Sequence, residues 1–308
     1  MAVVGFLAIK LESRKKLARN SVSSDKKQLK AKNIVMRYRT EDQKGEVVAD
    51  LMEADLISQE ISDINLTRPK GFIIEGDNKL HYQALRGVLP KGNRFVKLTD
   101  DVNFQLGFHE MSGDVFIYRT NSQKLYGRGN IELNSKDQKD RIELKSNELN
   151  YYLNNNYFSL KGDITGKVKK PRAYQVPIYL ESQKLSYSAA ESFIAFEEDV
   201  LVEMGPRSMK ALKGNIFLDN YSKNLKYYVL HDDIEYVESF LNEQGEQVQR
   251  KAYSQKLEGF VRGNKVILSG APEVRQEKNI IRGYQITVFG DSELLEVDES
   301  RANFKVEK

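Results

Sequence analysis

Ser146-Asn-Glu-Leu149, followed by Phe158-Ser-Leu-Lys-Gly162, is the stretch of sequence that decides the fold. The pattern returns 108 positions later, without a gap, as Ser254-Gln-Lys-Leu257 and Val266-Ile-Leu-Ser-Gly270. A looser copy begins at Ser182. Further copies begin near four glycines: Gly76, Gly113, Gly214 and Gly283. Each copy reads as a strand, a polar turn and a second strand, and such repetition is typical of stacked architectures in which no unit buries its apolar face alone.

Apolar and polar residues alternate along most of the chain after residue 32. Ile194 and Phe196 share one parity, as do Phe158 and Leu160, and their neighbours are largely polar. This period of two is typical of antiparallel strands with one dry face and one wet face. Residues 50–64 are the one candidate helix, and we interpret them as strand. The sequence therefore predicts an all-β chain, an elongated antiparallel sheet built from repeated hairpins.

The composition allows a packed core but offers no catalytic cluster. The 308 residues are 40% hydrophobic and 30% charged, and the absence of cysteine excludes disulfides and thiolate chemistry. The three histidines lie far apart in the sequence: His81, His109 and His231. The acidic pairs Asp100-Asp101 and Asp232-Asp233 are expected at strand ends, where turn roles are commoner than metal binding. We therefore predict a protein that is not an enzyme, with no metal and no cofactor.

Charge is distributed unevenly. Residues 1–32 hold nine basic and two acidic residues, a net charge of +7, while the rest holds 39 basic and 42 acidic residues, a net charge of −3. A body without net basic charge argues against nucleic-acid binding. Residues 2–9 are apolar except for Gly5, and a bilayer span needs about 20 residues. Three interpretations compete: the end of a membrane helix, a fragment of a signal peptide and a frayed terminus. The basic run that follows favours the first, because such charge is attracted to anionic lipid next to a membrane.

A domain junction is predicted near two prolines. Pro171 and Pro177 bracket a short segment, and proline is poorly tolerated in central strands. We therefore expect a basic N-terminal arm at residues 1–32, which is a possible remnant of a membrane anchor. A first β-domain follows at residues 33–170, and a second at residues 171–308.

Three motifs occur in order in the second half: Ala252-Tyr-Ser-Gln-Lys-Leu257, then Val266-Ile-Leu-Ser-Gly-Ala-Pro-Glu-Val-Arg-Gln276, then Gly283-Tyr-Gln-Ile-Thr-Val288. Over residues 178–308 this set resembles the OstA-like domain of the lipopolysaccharide transport bridge. The first half, in Asp63-Ile-Asn-Leu-Thr-Arg-Pro-Lys-Gly71 and Leu125-Tyr-Gly-Arg-Gly-Asn-Ile131, is similar to the inner-membrane-anchored component of the same system. The chain looks like two periplasmic components joined end to end.

The resemblance implies a folded-over sheet, a β-jellyroll or β-taco, whose concave interior holds lipopolysaccharide acyl chains. It implies a non-catalytic periplasmic carrier, anchored to the inner membrane through a segment at or before the N-terminus. The implied partners are lipopolysaccharide, the inner-membrane ABC transporter and the outer-membrane translocon of the pathway. Head-to-tail self-association through edge strands is a further expectation.

One strand parity is predicted to line the lipid groove: Phe158, Leu160, Phe196, Val200, Val202, Val266, Leu268, Val274, Ile286 and Val288. Edge-strand residues are predicted to contact partners: Ile34, Met36, Phe304 and Val306. The alternative is a structural or adhesive β-repeat protein whose interior is a closed core. A carbohydrate-active β-protein would need a carboxylate pair facing one groove, and none is identifiable in the sequence.

Overall fold

The computed structural model describes residues 26–39, 43–57, 60–75, 78–91, 95–107, 109–136, 141–169, 176–188, 190–218, 225–242, 244–290, 292–299 and 301–303. Throughout these ranges the regular elements are strands paired in antiparallel fashion, which confirms the predicted all-β fold built from hairpins. Residues 50–57 and 60–64 belong to two of these strands, as predicted. No helix in the described ranges has the length and apolar character that crossing a membrane requires. The apolar segment at residues 2–9 lies outside them.

The chain divides into two compact units. Unit 1 extends to residue 137 and includes residues 148–154, and unit 2 contains residues 138–147 and everything after residue 154. Residues 155–169, which the sequence assigned to the first domain, therefore fall in unit 2. The strands of unit 1 are β1 Lys26–Arg39, β2 Gln43–Ile57, β3 Glu60–Thr67, β4 Lys70–Glu75, β5 Asn78–Gln83, β6 Arg86–Leu89, β7 Phe95–Leu106, β8 His109–Arg119 and β9 Lys124–Lys136.

Strand β10, Arg141–Tyr152, contributes residues to both units. The strands of unit 2 are β11 Tyr157–Lys169, β12 Ile178–Ser188, β13 Phe193–Met204, β14 Arg207–Leu218, β15 Leu225–Leu241, β16 Gln247–Phe260, β17 Lys265–Ser269, β18 Glu273–Gln276, β19 Asn279–Arg282, β20 Gln285–Phe289, β21 Leu295–Asp298 and β22 Arg301–Asn303. The segment around Pro171 lies outside the described residues.

In each unit, one long strand pairs with two different strands, one along each half of its length. In unit 1, residues 43–48 of β2 pair with β4, while residues 51–57 pair with β3. In unit 2, residues 256–260 of β16 pair with β17, while residues 250–253 pair with β18. One long strand thus contributes its two halves to two different layers.

The two layers of unit 2 are named here for later use. Layer A comprises residues 157–161, 184–188, 193–197, 213–218, 225–231 and 256–260 together with β17, β20 and β21. Layer B comprises residues 164–168, 178–182, 200–204, 207–211, 234–241 and 247–254 together with β18, β19 and β22. The strand ends farthest from the point where the halves join are called the rim.

Every second strand has a bulge at the point where it continues from one layer into the other. Between paired positions, β15 advances three residues from His231 to Ile234, while β16 advances two. The extra residue belongs to Asp232-Asp233, which have φ angles of 64° and 51°. In unit 2, two consecutive residues of positive φ also occur at the corresponding place in β11, in β13 and between β17 and β18: Gly162-Asp163, Glu198-Asp199 and Gly270-Ala271. In unit 1 the same feature occurs in β7 and β9, at Asp100-Asp101 and Gly129-Asn130. A bulge bends its strand, so the series produces a line of bends along the sheet.

The repeated Ser-Asn and Ser-Gln pairs lie on the intervening strands at these bends. Ser182 and Ser254 are buried, and each Oγ donates a hydrogen bond to the carbonyl oxygen two residues ahead, at 3.2 and 3.1 Å. The amide that follows reaches the bulge, since the Asp163 backbone N–H donates to Gln183 Oε1 at 3.2 Å. A bulge leaves backbone groups without ladder partners, and the Ser-Asn/Gln pair satisfies some of them. The repeat therefore encodes a bend in a strand.

The predicted position of the acidic pairs is wrong. Asp100-Asp101 and Asp232-Asp233 lie inside β7 and β15, at bends, and not at strand ends. Gly113 and Gly214, interpreted as the start of units, likewise lie within β8 and β14. Asp and Gly suit both places for the same reason, because each adopts positive φ at lower cost than most residues.

Candidate functional site

The predicted groove residues meet in the interior of unit 2. Nine of the ten are buried, with relative exposures between 0 and 8%: Leu160, Phe196, Val200, Val202, Val266, Leu268, Val274, Ile286 and Val288. In layer A they form rows, because Leu268 lies opposite Leu257 on one side and Ile286 on the other. The rows arise from strict alternation on paired strands. One parity therefore faces a single apolar interior.

The parity rule fails at Val229, which is 8% exposed although it lies opposite Glu258 on the outward face, and at Thr287. Thr287, between Ile286 and Val288, has the parity of the outward face, yet it is 7% exposed. Glu203, of the same outward parity, is exposed as expected.

The tenth residue, Phe158, belongs to a row at the rim that is only partly covered. It lies opposite Tyr187, which lies opposite Ile194, which in turn lies opposite Ile216. All four are partly exposed, and the Phe158 and Tyr187 rings are 5.2 Å apart between centroids. We call these four residues the lip. They have the parity of the interior, so the lip is an apolar surface continuous with the core.

The predicted edge contacts are divided between described and undescribed residues. Ile34 and Met36 belong to β1, pair with β2 and are 9% and 6% exposed, so their side chains face the interior of unit 1. Phe304 and Val306 lie outside the described residues. At the other end of the chain, β21 pairs with β20 and β22 pairs with β19.

Sequence reasoning missed a buried row of charge at the rim. Arg207, Glu238, Arg250 and Gln276 lie directly opposite one another on β14, β15, β16 and β18. We call this row the seam. Glu238 and Arg250 are 0% exposed, and Arg207 is 8% exposed.

The seam is held by hydrogen bonds that involve charged groups. Arg207 Nε donates to Glu238 Oε1 at 2.9 Å, and Arg250 Nη1 donates to Glu238 Oε2 at 3.3 Å. Arg250 Nε donates to Gln276 Oε1 at 3.1 Å. One carboxylate thus bridges two guanidinium groups in a site shielded from water, which is the arrangement that makes a buried charge tolerable.

Two tyrosines lie beside the seam. Burial raises the pKa of Tyr228 to about 12, with Arg207 lowering it and Glu238 raising it to a smaller extent. Burial also raises the pKa of Tyr236, and the charge of Glu238 acts in the same direction. Burial lowers the pKa of Arg250, while Glu238 acts in the opposite direction.

Alkaline solution should destabilise unit 2 through Tyr228. Its folded-state pKa of about 12 exceeds the ordinary value of 10, so the unfolded chain loses this proton first as the pH rises. The stabilising contribution of Tyr228 is therefore fully present below pH 10. Between pH 10 and pH 12 it falls by about 1.4 kcal/mol per pH unit. Urea unfolding at pH 10, 11 and 12 measures the slope, and Tyr228→Phe should make it shallower. Equal slopes in both proteins would contradict the assignment.

The three histidines lie on three different strands. His81, His109 and His231 lie on β5, β8 and β15 respectively. In the described part of the chain, no three His, Asp or Glu side chains are grouped so as to hold a metal ion. What the interior of unit 2 offers chemically is apolar contact surface, bounded at its rim by the lip and the seam.

Comparison with known proteins finds a family model that matches part of the second half of the chain. Residues 179–294 match the family model described as LptA/(LptD N-terminal domain) LPS transport protein. No curated protein matches the chain. Among solved structures, LptH from Pseudomonas aeruginosa is described as the LptA homologous periplasmic component of the conserved lipopolysaccharide transport device. It is 17% identical, with a TM-score of 0.37, over 43% of this chain and 96% of that chain.

The matched segment begins in β12 and ends just before β21, so it contains most of the interior rows and the whole seam. The predicted resemblance of the second half is confirmed over that range. Residues 179–294 of this chain are thus similar to the LptA and LptD N-terminal domain family of lipopolysaccharide transport proteins.

Proposed function

We propose that this chain is a non-catalytic periplasmic carrier that shields lipopolysaccharide acyl chains and forms part of the bridge between the inner and outer membranes. The observation that carries the proposal is the family match over residues 179–294, whose strands supply most of the apolar interior of unit 2. The groove would be lined by the ten residues named above.

The physical support comes from the lip. Four apolar side chains remain partly exposed there, including Phe158 and Ile216, and they continue the interior rows. Moving an acyl chain from water onto such a surface is favourable by about 0.8 kcal/mol per buried CH₂ group. A carrier of this kind needs apolar area and access and has no need of a catalytic side chain.

Partner contacts are proposed at both ends of the chain. The edge strands β1 and β22, with Ile34, Met36, Phe304 and Val306 on or next to them, would add to strands of the membrane-embedded partners or of a second copy. Unpaired strand edges favour such pairing, because backbone groups complete their hydrogen bonds across the junction. The proposed partners are the inner-membrane ABC transporter and the outer-membrane translocon. Unit 1 would be the part related to the anchored bridge component.

A second candidate function follows from a specific observation. Leu268, Ile286, Val274 and Val288 are 0% exposed, as expected for a finished hydrophobic core. A structural or adhesive β-repeat protein would have such an interior over its whole length. The partly exposed lip separates the two candidates, because a purely structural core has no need for it.

Purified full-length protein tests the proposal by its affinity for lipopolysaccharide. Ile194→Ser removes apolar surface from the lip, and we expect about a tenfold weaker Kd, since a loss of about 1.4 kcal/mol corresponds to tenfold. The matched control is Phe193→Ser, an adjacent, partly exposed residue of opposite parity, which should leave the Kd unchanged. Equal effects of both substitutions, or no binding by the unaltered protein, would favour the structural candidate.

A further inference from the structure

The seam connects the two layers of unit 2. Arg207 Nη1 donates to Asn264 Oδ1 at 2.7 Å, and Arg250 Nη2 donates to the Ser292 carbonyl oxygen at 2.8 Å. Both guanidinium groups start from layer B, whereas Asn264 and Ser292 flank strands β17 and β20 of layer A. The Gly290 N–H donates to the Asn264 carbonyl oxygen at 2.7 Å, which joins the two receiving segments. Hydrogen bonds therefore close the rim from one layer to the other.

The contact at the seam is also tight. A Cβ atom at Gly290 would lie 1.6 Å from Arg207 Nη2, so the guanidinium lies directly against the backbone of layer A. The Arg250 guanidinium stacks over the Phe240 ring, 4.6 Å from its centroid. Both cations are thus enclosed by protein on several sides.

The donors of the seam are already used within the protein. Arg207 donates to a carboxylate and an amide oxygen, and Arg250 donates to a carboxylate, an amide oxygen and a backbone carbonyl. Hydrogen bonds to charged groups are roughly twice as strong as neutral ones. A cluster arranged in this way fastens two surfaces and leaves little capacity for a free anion.

On the other side of β14, toward β13 and β12, the residues at the rim of layer B are apolar. The residue opposite Arg207 on β13 is Met204, and the residue opposite Met204 on β12 is Ile178. These side chains carry no charge, and in layer A the same hairpins carry the lip. Among the described residues, the rim there is therefore held by apolar contacts, each worth about 0.1–0.2 kcal/mol per atom pair, and not by a buried network of charged groups as at the seam.

We infer that the seam locks the rim of unit 2 over β14–β18, so that the interior beneath it stays closed and the lip is where a ligand reaches the apolar surface. Val266 and Val288 lie one interior position inward from the seam contacts and are 2% and 0% exposed. The lip residue Ile216 is partly exposed. The inference that this part of the interior is closed depends only on the seam contacts. The identity of the ligand depends on the proposed function.

Single cysteines test the inference, because the chain contains none of its own. In the full-length protein, the thiol of Val266→Cys should react with a maleimide at least about tenfold more slowly than that of Ile216→Cys, since it reacts only when the seam opens. Adding Asn264→Gly removes the acceptor for Arg207 and keeps the backbone, whose φ is 47°. It should speed labelling of Val266→Cys about tenfold, because a hydrogen bond to a charged group is lost.

Asn156→Gly is the matched control, since Asn156 is an exposed turn residue with φ of 49°, and it should change neither rate. Circular dichroism verifies that each variant is folded. Two results would overturn the inference: labelling of Val266→Cys as fast as that of Ile216→Cys, or slow labelling that neither Asn264→Gly nor Arg207→Met accelerates.

A final labelling experiment tests lipid binding separately from the closure of the rim by the seam. Added lipopolysaccharide should slow labelling of Ile216→Cys. If it does not, while the contrast between the two cysteines persists, the proposed function is contradicted and the seam inference stands.

Discussion

Replacing Leu268 with aspartate should destabilise unit 2 by at least about 4 kcal/mol, because the substitution removes buried apolar surface and leaves a carboxylate without a partner. Leu268 is 0% exposed and lies between Leu257 and Ile286 in layer A. Urea unfolding measures the change in the free energy of unfolding. An effect of this size is a large part of the 5–15 kcal/mol that is typical of a folded domain, so partial or complete unfolding is the expected result.

Ser269→Asp is the control, since Ser269 is the adjacent residue of outward parity and is partly exposed. It should change stability by less than about 0.5 kcal/mol. If Leu268→Asp proved as stable as Ser269→Asp, water would have access to this position, and the interior would be an open groove along its whole length.

Replacing Arg250 with methionine should be the second large effect. Glu238 would lose one of its two guanidinium partners in a fully buried site, and breaking a buried ion pair typically costs about 3–5 kcal/mol. Adding Glu238→Leu to Arg250→Met should recover part of that loss, because the second change removes the buried carboxylate that the first leaves incompletely paired. Chemical unfolding of the two single variants and the double variant gives the coupling energy.

Arg282→Met is the control for a surface pair. Arg282 contacts Glu273, and the arginine side chain is 55% exposed, so its loss should cost no more than about 1 kcal/mol. Equal costs at Arg250 and Arg282 would mean that the seam is not the buried network described here. A double variant less stable than Arg250→Met alone would contradict the proposed origin of the loss.

The sequence predicted the alternation of the strands well, because burial on one face of a pleated sheet imposes a period of two. Nine of the ten residues that parity assigned to one face are buried together, while their role as the lining of a lipid groove stays a prediction. Thr287 departs from the rule. Its parity is that of the outward face, but the local surroundings of a side chain depend on neighbours that parity does not specify.

The bends could not be located from the sequence, because turns and bulges select the same residues. Asp232-Asp233 has the composition of a tight turn, yet β15 continues through it from Leu225 to Leu241. The distinguishing signal is on the adjacent strand, where a buried Ser precedes Asn or Gln opposite the bulge, as at Ser254-Gln255. That signal needs the strand register, which a single sequence does not supply.

The seam was missed for a related reason. Arg250 precedes Ala252 and Ser254 at the same parity, and Glu238 follows Ile234 and Tyr236 in the same way, so each charge occupies a position that alternation assigns to the interior. Considered alone, Arg250 and Glu238 each interrupt the alternation of apolar and polar residues along their strand. Only the pairing of β15 with β16 shows that the two opposite charges meet.

Photo-crosslinking in cells that make lipopolysaccharide tests the central claim, that unit 2 carries lipid acyl chains at an apolar surface continuous with its interior. A photoreactive residue is placed at Ile194 or Ile216 on the lip, and at their neighbours Phe193 or Phe217, which are partly exposed but have the opposite parity. The account predicts lipopolysaccharide adducts from positions 194 and 216 and none from positions 193 and 217. Adducts of equal yield from both faces, or none from the lip of a folded and abundant protein, would contradict it.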